Sequence, residues 1–312
     1  MTRNWICIAL LAVGVALVFG PWPMLQPSAR EIKQQFEGKR VVVCGASMGI
    51  GTEIAYDFAR AGAHVVVAAR RKPQLEAVAE RARALGAASV HVHAADLSSV
   101  EGARGLIDAS VAAMGGIDVL VLNHIVGIYA DYVQTIMDAH ADGSLEDVLE
   151  HAHKIVKVNT MSYIYLSSFA LPVLADNAGR IVVVSSAAGK MGLPRVAPYS
   201  ASKHALHGYF DSLRHDLRAS PLPGMRGVSV TLAVLGSFNT ETARANTKGM
   251  LDHMKWNPPA MAARAIVAGA VARAREVFTP HWEIAPATKL RNLMPSLLDA
   301  ALQMIIVGGE EA

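Results

Sequence analysis

Tyr199 and Lys203 stand four residues apart in Tyr199-Ser200-Ala201-Ser202-Lys203, a spacing that sets a phenol and an ammonium on one face of a helix. A free phenol titrates near pH ~10, and a neighbouring positive charge is needed to make it a usable acid/base near neutrality. Tyr-x-x-x-Lys alone arises often by chance. Its weight comes from Ser186, which closes the apolar run Ile181-Val182-Val183-Val184-Ser185. A hydroxyl there reaches the carboxyl edge of a parallel sheet, where ligands of such sheets bind. Ser186 can hydrogen-bond a carbonyl oxygen while Tyr199 protonates it, and the reverse sequence oxidises an alcohol.

A second cluster is Gly45-Ala46-Ser47-Met48-Gly49-Ile50-Gly51, directly after the apolar run Arg40 to Cys44 and before an amphipathic stretch. Gly45 permits a tight turn, Gly49 lets the backbone approach a pyrophosphate, and Gly51 allows close helix packing. The following helix N-terminus then offers amides to the anion. The next apolar run ends in Arg70 and Arg71. No acid is available there for a ribose 2′-hydroxyl, whereas two guanidinium groups suit a 2′-phosphate, so the expected cofactor is NADP(H) rather than NAD. Asp96, after the third run, is placed to bind the adenine edge, with Leu97 packing against the ring.

These residues need a scaffold that brings several strand ends together. From residue 39 onward, short β-branched runs alternate with longer amphipathic stretches, the signature of a doubly wound parallel sheet with crossover helices. Six strands are expected: Arg40 to Cys44, His64 to Ala69, Val90 to Ala94, Val119 to Leu122, Arg180 to Val184 and Val228 to Val234. Helices are expected over Ile50 to Ala61, Gln74 to Leu85, Val100 to Met114 and Ser200 to Arg218. Another begins within Gly143 to Val158 and ends near Leu174, and the Pro258-Pro259 pair restarts a helix.

The chain has 312 residues, is 52% hydrophobic and carries a net charge of +3. That is enough for one sizeable α/β domain, and the weak charge argues against a nucleic-acid partner. No metal-ligand pattern stands out. Cys7 and Cys44 are not placed to staple a loop.

No charged residue falls between Arg3 and Arg30, and Trp5 to Phe19 is apolar apart from Gly14. Residues 1–25 are therefore expected to form a retained membrane helix, since only Gly20 resembles a cleavage position. Flanking charges do not choose its orientation. The expected division is this helix, a linker over 26–38, the catalytic domain over 39–285 and an apolar helical tail over 286–312. The tail's Leu297, Leu298, Leu302, Ile305, Ile306 and Val307 suit an interface with membrane or a second subunit.

The Gly-x-x-x-Gly-x-Gly spacing and the Ser186, Tyr199 and Lys203 set resemble the short-chain dehydrogenase/reductase superfamily. Leu122-Asn123-His124-Ile125 stands where most of that superfamily carries Asn-Asn-Ala-Gly, and is similar to the 11β-hydroxysteroid dehydrogenase type 1 group. The likeness spans about residues 35 to 285. It implies a Rossmann-type domain, NADP(H), a homodimer and an N-terminal helix in the endoplasmic reticulum membrane with the catalytic domain in the lumen. It further implies that Asn159 holds a water linking Lys203 to solvent. Ile50, Asn123, Ile125, Phe238 and Thr240 would line the cofactor together with Ser47, Met48, Tyr199 and Lys203.

Departures from that group bear on the substrate. Cys44 replaces a Thr, Met48 stands where a phosphate-binding Lys is usual, and Arg71 can compensate. Leu193 replaces a Tyr that faces the steroid, Ser237 replaces an apolar residue near it, and the stretch from Asn123 to Asn159 is longer. The expected activity is interconversion of a ketone and a secondary alcohol on a lipophilic, steroid-like substrate held near Ser186, Leu193, Tyr199 and Ser237. Alternatives are a broad reductase of retinoid, sterol or xenobiotic ketones and a non-catalytic membrane-docked scaffold. A scaffold predicts damage to the catalytic set, whereas Asn159, Ser186, Tyr199 and Lys203 are all present.

Overall fold

Strands rich in Val, Ile and Leu can be buried on both faces only if helices cover each face, and that constraint fixes the architecture. The computed structural model describes residues 26–127, 131–247 and 255–307. Its strands are β1 (Arg40–Cys44), β2 (His64–Ala69), β3 (Ser89–Ala94), β4 (Val119–Leu122), β5 (Arg180–Ser186), β6 (Ser229–Leu235) and β7 (Glu276–Thr279). They form one parallel sheet in the order β3-β2-β1-β4-β5-β6-β7. The six expected strands are present. The seventh, β7, is an edge strand of four residues flanked by Arg275 and Pro280, too short and too polar to stand out as a run.

The helices are α1 (Ala29–Phe36), α2 (Gly49–Arg60), α3 (Lys72–Ala84), α4 (Val100–Met114), α5 (Tyr132–Asp142), α6 (Leu145–Val156), α7 (Ser162–Ala175), α8 (Ala197–Ala219), α9 (Glu241–Thr247), α10 (Pro259–Ala272), α11 (His281–Leu293) and α12 (Pro295–Leu302). A π-turn, Lys157–Met161, joins α6 to α7. The strand period of two sorts the core. Val41, Val43, Val65, Val67, Val119 and Val121 face α2 and α10, with Ile54, Phe58, Ile266 and Val267. Val42, Cys44, Val66, Leu120, Leu122 and Val183 face the opposite layer, with Leu106, Tyr163, Leu166, Leu206 and Phe210. A third cluster lies beyond the carboxyl ends of β5 and β6 and joins Ala187, Met191, Val234, Ile284 and Leu298, with Leu193, Phe278 and Leu290 against it.

Two expected boundaries change. The stretch expected as a linker folds into α1, started by a capping box in which Ser28 and Glu31 satisfy each other's backbone amides. Its last residue, Phe36, is fully buried edge-to-face on Phe58, with ring centroids 4.9 Å apart. At the other end, α11 runs unbroken across residue 285, so the catalytic domain and its tail share one helix. The membrane helix expected over 1–25 lies outside the described residues.

Strand order reverses between β1 and β4, whose outward connections lead to opposite sides of the sheet. This opens a crevice at the carboxyl edge. The three central strands β1, β4 and β5 deliver Gly45, Asn123 and Ser186 to that edge. At the opposite edge the Arg40 guanidinium grips Asp118 through two side-chain bonds of 2.8 and 2.9 Å, and the Arg40 amide donates to the same carboxylate.

Candidate active site

Ser186 ends β5 in extended conformation and its Oγ accepts from the amide of Ala188, which opens the 3-10 turn Ala187–Gly189. Tyr199 and Lys203 lie in the first two turns of α8, whose start at Ala197 precedes the expected one and makes Tyr199 helical. Tyr199 lies near enough to Ser186 for the serine side chain to act on the proton affinity of the phenol, so the two groups read from sequence stand side by side. Burial pushes Tyr199 up to about 12, and the nearby Ser186 side chain opposes that rise. Lys203 is also buried, which pulls it down to about 7. Its Nζ donates to the Val184 carbonyl at 2.9 Å and lies 5.8 Å from the Tyr199 ring centre and 5.4 Å from that of Tyr163.

Asn159 is fully buried on the π-turn, a distortion that frequently marks functional positions in helices. Its Oδ1 accepts from the Val126 amide at 2.8 Å. Its Nδ2 donates to the Val126 carbonyl at 2.7 Å and to Ser202 Oγ at 3.1 Å. The side chain therefore clamps the strand-β4 loop to α8, one residue from Lys203.

The glycine turn fits a dinucleotide on geometric grounds. Gly45 and Gly49 have φ of +79° and +60°, conformations that side chains resist. A methyl group on Gly51 would overlap the Gly45 carbonyl, so α2 packs against the turn only with glycine there. Asn123 supports the turn from behind, its Nδ2 donating to the Gly45 carbonyl at 3.2 Å. Ile50 is partly buried in the first turn of α2, and Ile125 is more than one-third exposed beside the crevice. Arg71 Nη2 donates to Ser47 Oγ at 3.1 Å, which brings a guanidinium from the end of β2 to the rim of the turn. Arg70 is near enough to Asp96 to help hold that carboxyl below its ordinary value. Burial opposes this, and the bonds from Ser98 are the largest lowering cause. Leu97 is buried in the core behind Asp96.

The segment after β6 covers the turn. Thr240 sits against Gly49, and its Oγ1 accepts from the Ala243 amide. The Thr242 hydroxyl donates to Met48 Sδ at 3.1 Å. Phe238 is buried and bridges to Asn257, while the Ser237 carbonyl accepts from the Asn257 backbone and side chain. Leu193 lies on the third apolar cluster, and its amide donates to Ser200 Oγ.

Two residues of the site were given no role there from sequence. His124 is buried with Nε2 2.6 Å from Ser162 Oγ, and burial pulls it down to about 3, so it is neutral. Tyr163 donates its hydroxyl to the His124 carbonyl at 2.8 Å and presents its ring to Lys203. The available signal was spacing, since Tyr163 stands one helical turn after Asn159 and shares its face.

A family model described as short chain dehydrogenase matches residues 39–250. The chain is 38% identical over 266 residues to hydroxysteroid 11-beta-dehydrogenase 1-like protein B of Xenopus laevis, covering 85% of this chain and 86% of that one. It is 40% identical to the Gallus gallus hydroxysteroid 11-beta-dehydrogenase 1-like protein, over 84% of this chain and 85% of that one. The likeness to the Danio rerio protein of the same name is 35% and extends over 96% of this chain and 94% of that one. Among solved structures, a metagenomic short-chain oxidoreductase in complex with NADP is 29% identical. Its TM-score is 0.62, over 78% of this chain and 97% of that one. A Burkholderia phymatum short chain dehydrogenase/reductase in complex with NAD, 23% identical, shares the fold with a TM-score of 0.71 over 84% of this chain and 95% of that one. By the family model over residues 39–250 and the relatives at 35–40% identity, the chain belongs to the short chain dehydrogenase family of oxidoreductases.

Proposed function

We propose that the protein interconverts a ketone and a secondary alcohol on a lipophilic, steroid-like molecule, using NADP(H). The observation that carries this reading is the juxtaposition of Ser186, at the end of β5, with Tyr199 on α8, with Lys203 one helical turn along. Bound NADP(H) would supply the hydride in reduction and accept it in oxidation. Ser186 holds the substrate oxygen and Tyr199 hands it a proton. With its affinity for the proton raised by burial, Tyr199 is protonated at neutral pH and poised as an acid. Lys203, charged below about pH 7, stabilises the phenolate left behind and would hold the nicotinamide ribose. Proton return to Tyr199 is assigned to a water held at Asn159.

The preference for NADP(H) is supported by Arg71 at the rim of the glycine turn and by the lack of an acid at the end of β2. The apolar cluster around Met191, Leu193, Ile284 and Leu298 supports a lipophilic substrate. Because Leu193 and Ser237 depart from the steroid enzymes, a broader set of retinoid, sterol and xenobiotic ketones is the second reading. Residues 1–25 are assigned as a single membrane span of the endoplasmic reticulum, with the catalytic domain luminal. In the tail, Leu298 and Ile306 turn inward while Leu297, Met304 and Ile305 are more than half exposed. That outward face supports contact with membrane or with the second subunit of a homodimer.

The test is NADPH fluorescence quenching together with turnover of ketosteroids, retinals and small aromatic ketones. NADPH-dependent reduction of a ketosteroid with little use of NADH is expected. Quenching without turnover of any ketone would overturn the reading.

A further inference from the structure

A cavity of about 200 Å³ opens between α5, α6 and the segment leading into α8, away from the glycine turn. Tyr132 and Thr135 line it from α5, His151 and Ala152 from α6, and Arg195 and Pro198 from the third side. Its walls are mostly apolar. His151 Nε2 is buried and has no hydrogen-bond partner among the described residues. A buried imidazole nitrogen left without a partner costs free energy, which a ligand hydroxyl or carbonyl would recover.

The cavity adjoins the catalytic phenol through Pro198. Pro198 immediately precedes Tyr199, and Gly127 lies against the Tyr199 ring. A methyl group on that glycine would sit 3.3 Å from Tyr199 Cδ2. Helix α5 begins at Tyr132, five residues on, so Tyr132 lies no more than about 18 Å along the chain from that contact. Pockets that enclose a whole small molecule measure about 300–1,000 Å³. This one is too small for that and suits one end of a longer molecule.

We propose that the cavity is a distal subsite that takes the non-reacting end of the substrate, an apolar end tipped with a hydroxyl or carbonyl that pairs with His151. The inference rests on the ketone–alcohol reading above and adds the substrate's second polar group to it.

Two probes test it: a rigid tetracyclic ketone with a hydroxyl at the end opposite the reacting carbonyl, and the same ketone without that hydroxyl. His151→Phe should reduce the wild-type preference for the hydroxylated probe about fivefold, the order expected for one hydrogen bond, through KM with kcat unchanged. Ala152→Leu fills the cavity and should raise KM for both probes about tenfold. Both variants should reduce cyclohexanone, which is too short to reach the cavity, at the wild-type rate. An unchanged probe preference in His151→Phe, or cyclohexanone turnover falling in step with the probes, would overturn the subsite. If the wild type reduces none of the three ketones, the oxidoreductase reading fails by itself. Calorimetric titration of the hydroxylated probe then decides the subsite separately. Weaker binding by both variants upholds it, and absent or unchanged binding overturns it.

Discussion

At the scale of single residues, burial sets the charge states on which the chemistry depends. Lys203 is pulled down to about 7, so it carries its charge below that pH and loses it above. The dependence of kcat/KM for NADPH reports the free enzyme, and it should decline as pH rises through about 7. A profile flat from pH 6 to 9 would mean that Lys203 does not titrate there. His124 and His207 are both pulled from 6.5 to about 3, chiefly by burial, and the Nδ1 of each makes no hydrogen bond among the described residues. The unfolded chain therefore binds two more protons than the folded one between those pH values. Stability should fall as pH drops through this window, by about 3 kcal/mol per unit at its steepest. Melting temperature against pH checks this, with His207→Gln expected to lose about half of the slope. Equal slopes in the two proteins would remove His207 from the explanation.

At the scale of elements, the strand–turn–helix around Gly45 to Gly51 and the end of β2 form the proposed cofactor seat. Arg71→Ala should raise KM for NADPH about tenfold and leave KM for NADH nearly unchanged, because only the 2′-phosphate is lost as a partner. At the other sheet edge, Asp118→Ala leaves the half-buried Arg40 guanidinium without its bidentate partner and should cost about 3 kcal/mol in urea unfolding. The sequence made the central strands and the catalytic set legible, because Val-rich runs and a Tyr-x-x-x-Lys spacing are local patterns. Less legible were the elements that depend on distant partners. Strand β7 exists through its pairing with β6. Helix α1 is fixed by Phe36 on Phe58, and α5 lies in a stretch that sequence reading left unassigned. His124 becomes a site residue only because α7 brings Ser162 and Tyr163 to it.

At the scale of the whole molecule, one sheet carries the cofactor turn on its β1 side and the proton-transfer pair on its β5 and α8 side. The C-terminal helices pack on the apolar cluster beyond the carboxyl ends of β5 and β6. Among the described residues one helical run, Leu145–Ala175, is long and apolar enough to cross a membrane, yet half of its apolar window is buried in the fold and it carries Asn159 and Tyr163. It therefore serves the core, and the proposed anchor is a separate stretch, residues 1–25. Removing those residues should leave NADPH binding intact while releasing the protein from vesicles in a flotation assay. The central claim is that Tyr199 moves the proton in a site otherwise complete. The most direct measurement compares the full chain with Tyr199→Phe, following NADPH binding by fluorescence and NADPH consumption after a ketone is added. The account predicts that the variant binds NADPH as the wild type does and consumes it at least ~10²-fold more slowly. Undiminished consumption would contradict it.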